Sequence, residues 1–183
     1  RRLSRTIQRS LQAQCKYLAE VVTQYHEGRN NALNYRVVRR AAHNNDAEVA
    51  SLISTLATEP NIDPTQKAQA FEFLCLSHTF LSYIAALGAH RERIDEPAIL
   101  SLLDQALDDI QGALLRDEVP DLSSQNMLQS IRERLSRNDE NDQKSLIISQ
   151  QLSLILSILT RLSMLKQSLS YEPHEDGTEF ASL

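Results

Sequence analysis

The chain is 183 residues long, enough for one domain with a real hydrophobic core. Four glycines, five prolines, no tryptophan and abundant Leu, Ala, Ser and Gln suit an all-α protein. The formal net charge is −5, but Arg1, Arg2, Arg5 and Arg9 are the only charges in the first ten residues, so the remainder carries −9 and broad nucleic-acid binding is disfavoured.

A short basic lead-in to an acidic body is the pattern of a segment beside anionic lipid. On composition alone, a basic first helical turn without a partner is the simpler reading. No signal peptide is visible and the first residue is not Met, so the chain is expected to be a piece of something longer. Cys15 and Cys75 stand singly, without CxxC spacing, and are expected to be buried free thiols.

The first predicted helix covers Leu3 to Tyr25, with an apolar stripe of Leu3, Ile7, Leu11, Cys15, Leu18, Val22 and Tyr25. Gly28 is its expected C-terminal cap. A second helix is predicted over Ala32 to Ala57, with Val38, Ala42, Asn45, Val49, Leu52 and Leu56 on its seam. That register puts Asn45 at a core position with Asp46 beside it, and a polar residue on a seam needs a partner. Glu59-Pro60 stops the helix.

Asp63-Pro64 starts the third helix as N-cap and first-turn proline, and the pattern runs to Arg91–Arg93. Within it, Phe71–His90 (FEFLCLSHTFLSYIAALGAH) is apolar nearly all round. It is long enough to cross a bilayer, but is interrupted mid-segment by Glu72, Ser77, His78, Thr79 and Ser82. The expectation is therefore the buried central helix of a bundle. His78 lies on the apolar side and reads as a satisfied core histidine, with Asn45 and Asp46 as its partners in a buried polar network.

Asp95-Glu96-Pro97 opens a fourth helix by the same logic, with Ile99, Leu103, Ala106, Ile110 and Leu114 inside and Asp104, Asp108 and Asp109 solvated. Arg116–Leu122 reads as a loop, and Ser123 or Ser124 caps a short fifth helix carrying Leu128, Ile131 and Leu135. Arg137–Asp142 (RNDEND) reads as a charged, mobile connector. The last helix, Gln143 to Leu169, has a broad stripe of Ile148, Leu152, Ile155, Leu159 and Leu162, widened by Leu154, Ile158 and Leu165. That breadth makes it a surface for self-association, or equally plain core; Gln150, Gln151 and Arg161 oppose a lipid-embedded span. Residues 171–183 form an acidic tail expected to be disordered. The predicted architecture is thus all-α: one bundle of five or six mostly antiparallel helices over residues 1–170.

Reactive constellations are hard to find. Neither ExxH nor HxxxH occurs, and His78 and His90 are twelve residues apart and do not converge on a helix, so no metal site is expected. His43 on a bundle helix invites comparison with a phosphoacceptor, but RRAAHNNDAEV lacks the lysine and glycine positions that follow such a histidine. Pairing of His43 with Asp46 or Arg39 is the better reading. No serine sits on a glycine-rich elbow, and Gly28, Gly88, Gly112 and Gly177 are too scattered for a phosphate loop. No catalytic residue and no cofactor are expected.

Two blocks carry a resemblance. NYRVVRRAAHNNDAEVASLISTLATEP (Asn34 to Pro60) and FLCLSHTFLSYIAALGAHRE (Phe73 to Glu92) are similar to segments of the YccS/YhfK-type bacterial inner-membrane proteins. These are related to the fusaric acid resistance and aromatic acid exporter (FUSC) group. The match extends back through QRSLQAQCKYLAEVVTQYHEGRN, Gln8 to Asn30; from Arg93 onward only the helical layout is similar.

The resemblance implies a non-catalytic, cytoplasmic C-terminal domain of an efflux-type inner-membrane transporter, itself soluble, serving assembly, gating or regulation. Its implied partners are the membrane-embedded part of the same polypeptide, anionic lipid headgroups near Arg1, Arg2, Arg5 and Arg9, and a second copy of the chain. The basic segment then obeys the positive-inside rule. The alternative is a free-standing helical sensor or adaptor binding a small molecule or partner protein.

Overall fold

The computed structural model describes residues 2–120, 123–135 and 140–170, with the side chains of 140 and 141 excepted. The described residues form six helices and no strand: α1 (Arg2–Glu27), α2 (Ala32–Ala57), α3 (Pro64–Ala89), α4 (Pro97–Leu115), α5 (Ser123–Arg134) and α6 (Glu140–Ser170). All six contribute to one continuous hydrophobic core. The expected tail, 171–183, and part of the expected connector lie outside the described residues; its last three positions, 140–142, are already helical.

Local chemistry sets the helix ends. Gly28 takes a left-handed conformation, φ 87°, and its N–H reaches the Gln24 carbonyl at 2.8 Å, closing α1 where a β-carbon would be strained. Asn31 caps α2 through the Asn34 N–H, and Asp63 caps α3 through the Thr65 N–H, each at 3.1 Å. Glu96 makes no such cap before Pro97; its carboxylate instead accepts the Ser145 hydroxyl at 2.9 Å, tying the start of α4 to α6. α3 ends at Ala89, two residues short of the expected stop.

Cross-links between helices fix the topology. Gln14 meets Ser77 and Tyr25 meets the Leu87 carbonyl, so α1 and α3 run parallel, with α2 antiparallel between them. Glu72 meets Arg161 and Gln69 meets Ser168, so α3 and α6 are antiparallel. Glu96 with Ser145 and Ala113 with Ser163 make α4 and α6 parallel.

The centre of the bundle is α1, which packs on α2, α3, α4 and α6. Ile7, Leu11, Tyr17, Leu18, Val21 and Tyr25 are all buried, and so are the polar Ser10, Gln14 and Gln24. This corrects the expectation that α3 is the most buried helix. Phe73, Phe80, Leu81, Ile84 and Leu87 are buried, but Phe71 and Cys75 face solvent and Leu74 and Leu76 are half-covered. Only Cys15 is a buried thiol, and burial pushes its pKa up to about 12.

Three further positions differ from expectation. The α2 seam keeps the expected Ala42 and Val49 but runs through Asp46 and Ile53 in place of their neighbours Asn45 and Leu52, so Asp46 is inside and Asn45 only half-buried. Asp109 is buried, with Gln105 donating to it at 2.8 Å. The broad α6 stripe is largely core: Ile148, Leu152, Ile155, Leu159, Leu162 and Leu165 are buried, leaving Leu154 and Met164 exposed.

Two helices, Pro64–Ala89 and the Asp142–Ser170 part of α6, are long and apolar enough to cross a membrane by length and composition. In the fold they pack on each other, and Arg161 forks onto Glu72 across them with both contacts at 2.7 Å.

Candidate functional site

Two arrangements of polar residues stand out, one inside the bundle and one on its surface. The inner one joins α1, α2 and α3. Asp46 is buried because neighbours satisfy both of its oxygens: Ser77 donates to Oδ1 at 3.2 Å, and His78 Nδ1 lies 2.9 Å from Oδ2. Gln14 donates in turn to the Ser77 hydroxyl at 3.0 Å and reaches Ser10 at 3.4 Å. Facing a carboxylate, His78 Nδ1 carries the proton.

The expected network of Asn45, Asp46 and His78 is therefore brought together only in part. Asn45 bonds the Ala41 carbonyl of its own helix at 2.7 Å. His78 is not a core residue: its side chain is 69% exposed, against 8% for Asp46. Gln14, Ser10 and Ser77 are members that the sequence reading overlooked. Their signal is Gln14 itself, which falls between Leu11 and Leu18 on the apolar stripe of α1.

A carboxylate orienting an imidazole is half of a hydrolytic triad. Here the nearby hydroxyl, Ser77, is fully buried and turned toward Asp46 and Gln14, so it is not a nucleophile poised against His78. The arrangement is a tie between three helices. His43 is exposed one turn before Asp46 on α2, but Asp46 bonds Ser77 and His78 and not His43. His90 is exposed at the end of α3, and no group of three His, Cys, Asp or Glu among the described residues could hold a metal ion.

A second buried tie closes the opposite end of the hairpin. The Tyr17 and Tyr35 hydroxyls are 3.2 Å apart with the rings edge to face, and the Arg91 guanidinium lies 3.5 Å over the Tyr35 ring. Tyr25 donates to the Leu87 carbonyl at 2.7 Å. Burial pushes the Tyr17 and Tyr25 phenols well above their ordinary pKa.

The surface arrangement lies along the α1–α2 hairpin. Arg1 is outside the described residues; Arg2, Arg5 and Arg9 are exposed and line an open groove against Glu48, Ser51 and Thr55 of α2. The groove continues past Arg9 and Lys16 along Val37 and Ala41, and Val37 leads to a third depression among Leu33, Arg36 and Arg40. The basic stretch is thus larger than the four N-terminal arginines: Arg36, Arg39 and Arg40 extend it on α2. Among the described residues none of Arg2, Arg5, Arg9, Lys16, Arg36, Arg39 or Arg40 forms an ion pair. The most apolar depression, among Leu3, Ile53, Ile62 and Ala70, has only ≈ 10 Å³ of room, about one water.

Comparison with known proteins adds a relationship to this geometry. No protein-family profile and no solved structure matches the chain. The inner membrane protein YccS of Escherichia coli is 40% identical over 176 residues, covering 96% of this chain and 24% of that protein. An uncharacterized protein of Haemophilus influenzae is 33% identical over 92 residues, covering 50% of this chain and 13% of that protein. The chain thus spans about a quarter or less of the length of these curated relatives.

Proposed function

We propose that this chain, a relative of the YccS-type inner membrane proteins, is a non-catalytic accessory unit of an efflux-type transporter, packed on the cytoplasmic side of the membrane and serving assembly or gating. The observation that carries this is the extent of the similarity. Nearly all of the chain matches an inner membrane protein about four times its length, which supports reading it as one unit of a larger membrane-linked polypeptide. The polar groups support a mechanical role: the buried carboxylate Asp46 and its neighbours join helices and present no nucleophile. In this reading Arg1, Arg2, Arg5 and Arg9 follow the membrane part directly and lie beside anionic headgroups. A second copy of the chain is a further partner. The free-standing sensor is the weaker reading, since the most apolar depression is water-sized.

The test removes the segment corresponding to this chain from the full-length transporter and follows membrane insertion, oligomer stability and export. Normal insertion with impaired assembly or export is the expected result. A truncated protein that assembles and exports normally would overturn the proposal.

A further inference from the structure

We propose that the outward face of the α1–α2 hairpin docks on an anionic lipid bilayer, with Leu33 and Val37 entering the headgroup layer and Arg36, Arg40, Arg9 and Lys16 gripping phosphates around them. This rests on the membrane-linked reading above and specifies which side of the unit meets the membrane. Leu33, Arg36, Val37 and Arg40 follow one another at intervals of three, one and three residues, so they share one stripe of α2. Leu33 is 68% and Val37 56% exposed, one helical turn apart, with cations on each side.

Charge is divided to match. Residues 1–57 hold nine Lys and Arg against four Asp and Glu, whereas the rest of the chain holds ten against twenty. On α1 and α2, Arg2, Arg5, Arg9, Lys16, Arg36, Arg39 and Arg40 are exposed without an ion pair among the described residues; Arg36 gives only its Nε, to the Ala32 carbonyl at 3.4 Å, so terminal nitrogens remain available to phosphate. Glu48 sits beside Arg2, Arg5 and Arg9 and weakens that end, so the N-terminal half of α2 is where the face is most basic.

Apolar side chains set among cations fit the interface of a bilayer, where methyl groups enter the acyl boundary and guanidinium groups stay at the phosphates. A nucleic acid would face Leu33 and Val37 with a polyanion and would be repelled at long range by the acidic body. α6 makes no contact with α2, so the exposed Met164 lies on another side of the molecule and serves as a control.

The experiment measures binding of the 183-residue chain to phosphatidylcholine vesicles with and without phosphatidylglycerol, at low and high salt. The chain is expected to bind the anionic vesicles only, and more weakly as salt rises. Arg36→Gln with Arg40→Gln should lower the affinity roughly thirtyfold at low salt, about fivefold for each cation lost. Leu33→Ser with Val37→Ser should lower it at both salts, and Met164→Ser should leave it unchanged, with helical circular dichroism retained in all variants. Four outcomes would overturn the proposal: equal binding to both vesicle types, binding indifferent to Arg36 and Arg40, capture of duplex DNA in place of vesicles, or self-association through Arg36 and Arg40. Such a failure leaves the accessory-unit reading intact, because removal of the segment from the full-length transporter tests that separately.

Discussion

The hairpin α1–α2 and the body α3–α6 treat charge in opposite ways. In the body, several cations are tied to carboxylates, Arg161 to Glu72 at 2.7 Å, Lys166 to Asp117 at 2.8 Å, Arg116 to Glu118 at 2.9 Å and Lys144 to Glu92 at 3.4 Å, while Lys67 and Arg91 are held by carbonyl oxygens. On the hairpin the seven exposed Lys and Arg of α1 and α2 have no carboxylate partner among the described residues, and what fastens the hairpin to the body is apolar packing, the buried donors Gln14, Ser77 and Tyr25, and two histidine–carboxylate contacts, His26 with Asp104 and His78 with Asp46. The difference teaches where to look for function. Paired surface charges add little to stability and have little left to offer a partner, while unpaired ones in a row keep their donors free.

The comparison can be broken at several places, and the effects should fall in a definite order. The largest is chemical. Cys75 is exposed and Cys15 buried with a pKa near 12, so a thiol reagent should modify Cys75 in the native chain and reach Cys15 only on unfolding. Rapid native labelling of both would mean that α1 is not the core helix.

Next comes the packing between hairpin and body. Phe80→Ala, at a buried position of α3, should lower unfolding stability by about 3–5 kcal/mol in denaturant titration. Asp46→Ala removes the partner of the buried Ser77 and should cost about 1–3 kcal/mol, whereas the same change at Asn45, which bonds its own helix, should cost less. If the two substitutions were equal, the assigned register of α2 would be wrong.

The smallest effect belongs to the surface pairs. Arg161 beside Glu72 holds that carboxyl below its ordinary pKa, so the pair's contribution is present above the unfolded value and is lost as pH falls through the lower folded one. Glu72→Gln should therefore flatten the acid side of the stability profile slightly and change nothing near neutral pH beyond the scatter of surface substitutions. A large loss at neutral pH would show that this pair, and not the core, holds α6 to α3.

Helix ends were the most legible part of the fold, because Gly28, Asp63, Pro64 and Pro97 act through local chemistry that needs no tertiary partner. Burial was harder to read. On α2, Ala42 and Val49 can be joined through Asn45 and on to Leu52, or through Asp46 and on to Ile53, so a spacing of three and four fits two seams equally. The choice between Asn45 and Asp46 is made by Ser77 and His78 on another helix, which periodicity along α2 does not contain. The apolar residues of α3 surround the helix, which conceals which side is covered; α1 has the clearer stripe and proved to be the hub. The basic face was half legible. The N-terminal arginines are conspicuous as a run, while Arg36, Arg39 and Arg40 gain meaning only when Leu33 and Val37 prove to be exposed.

The central claim is that the hairpin meets the membrane while the body stays in water. It is tested most directly by placing an environment-sensitive fluorophore at Val37→Cys or at Met164→Cys, each in a Cys75→Ser background that leaves only the buried Cys15. With anionic vesicles carrying lipid-borne quenchers, the probe at position 37 should shift to the blue and be quenched, and the probe at position 164 should stay in water. Two probes that both remain in water, or quenching at 164 alone, would contradict the account.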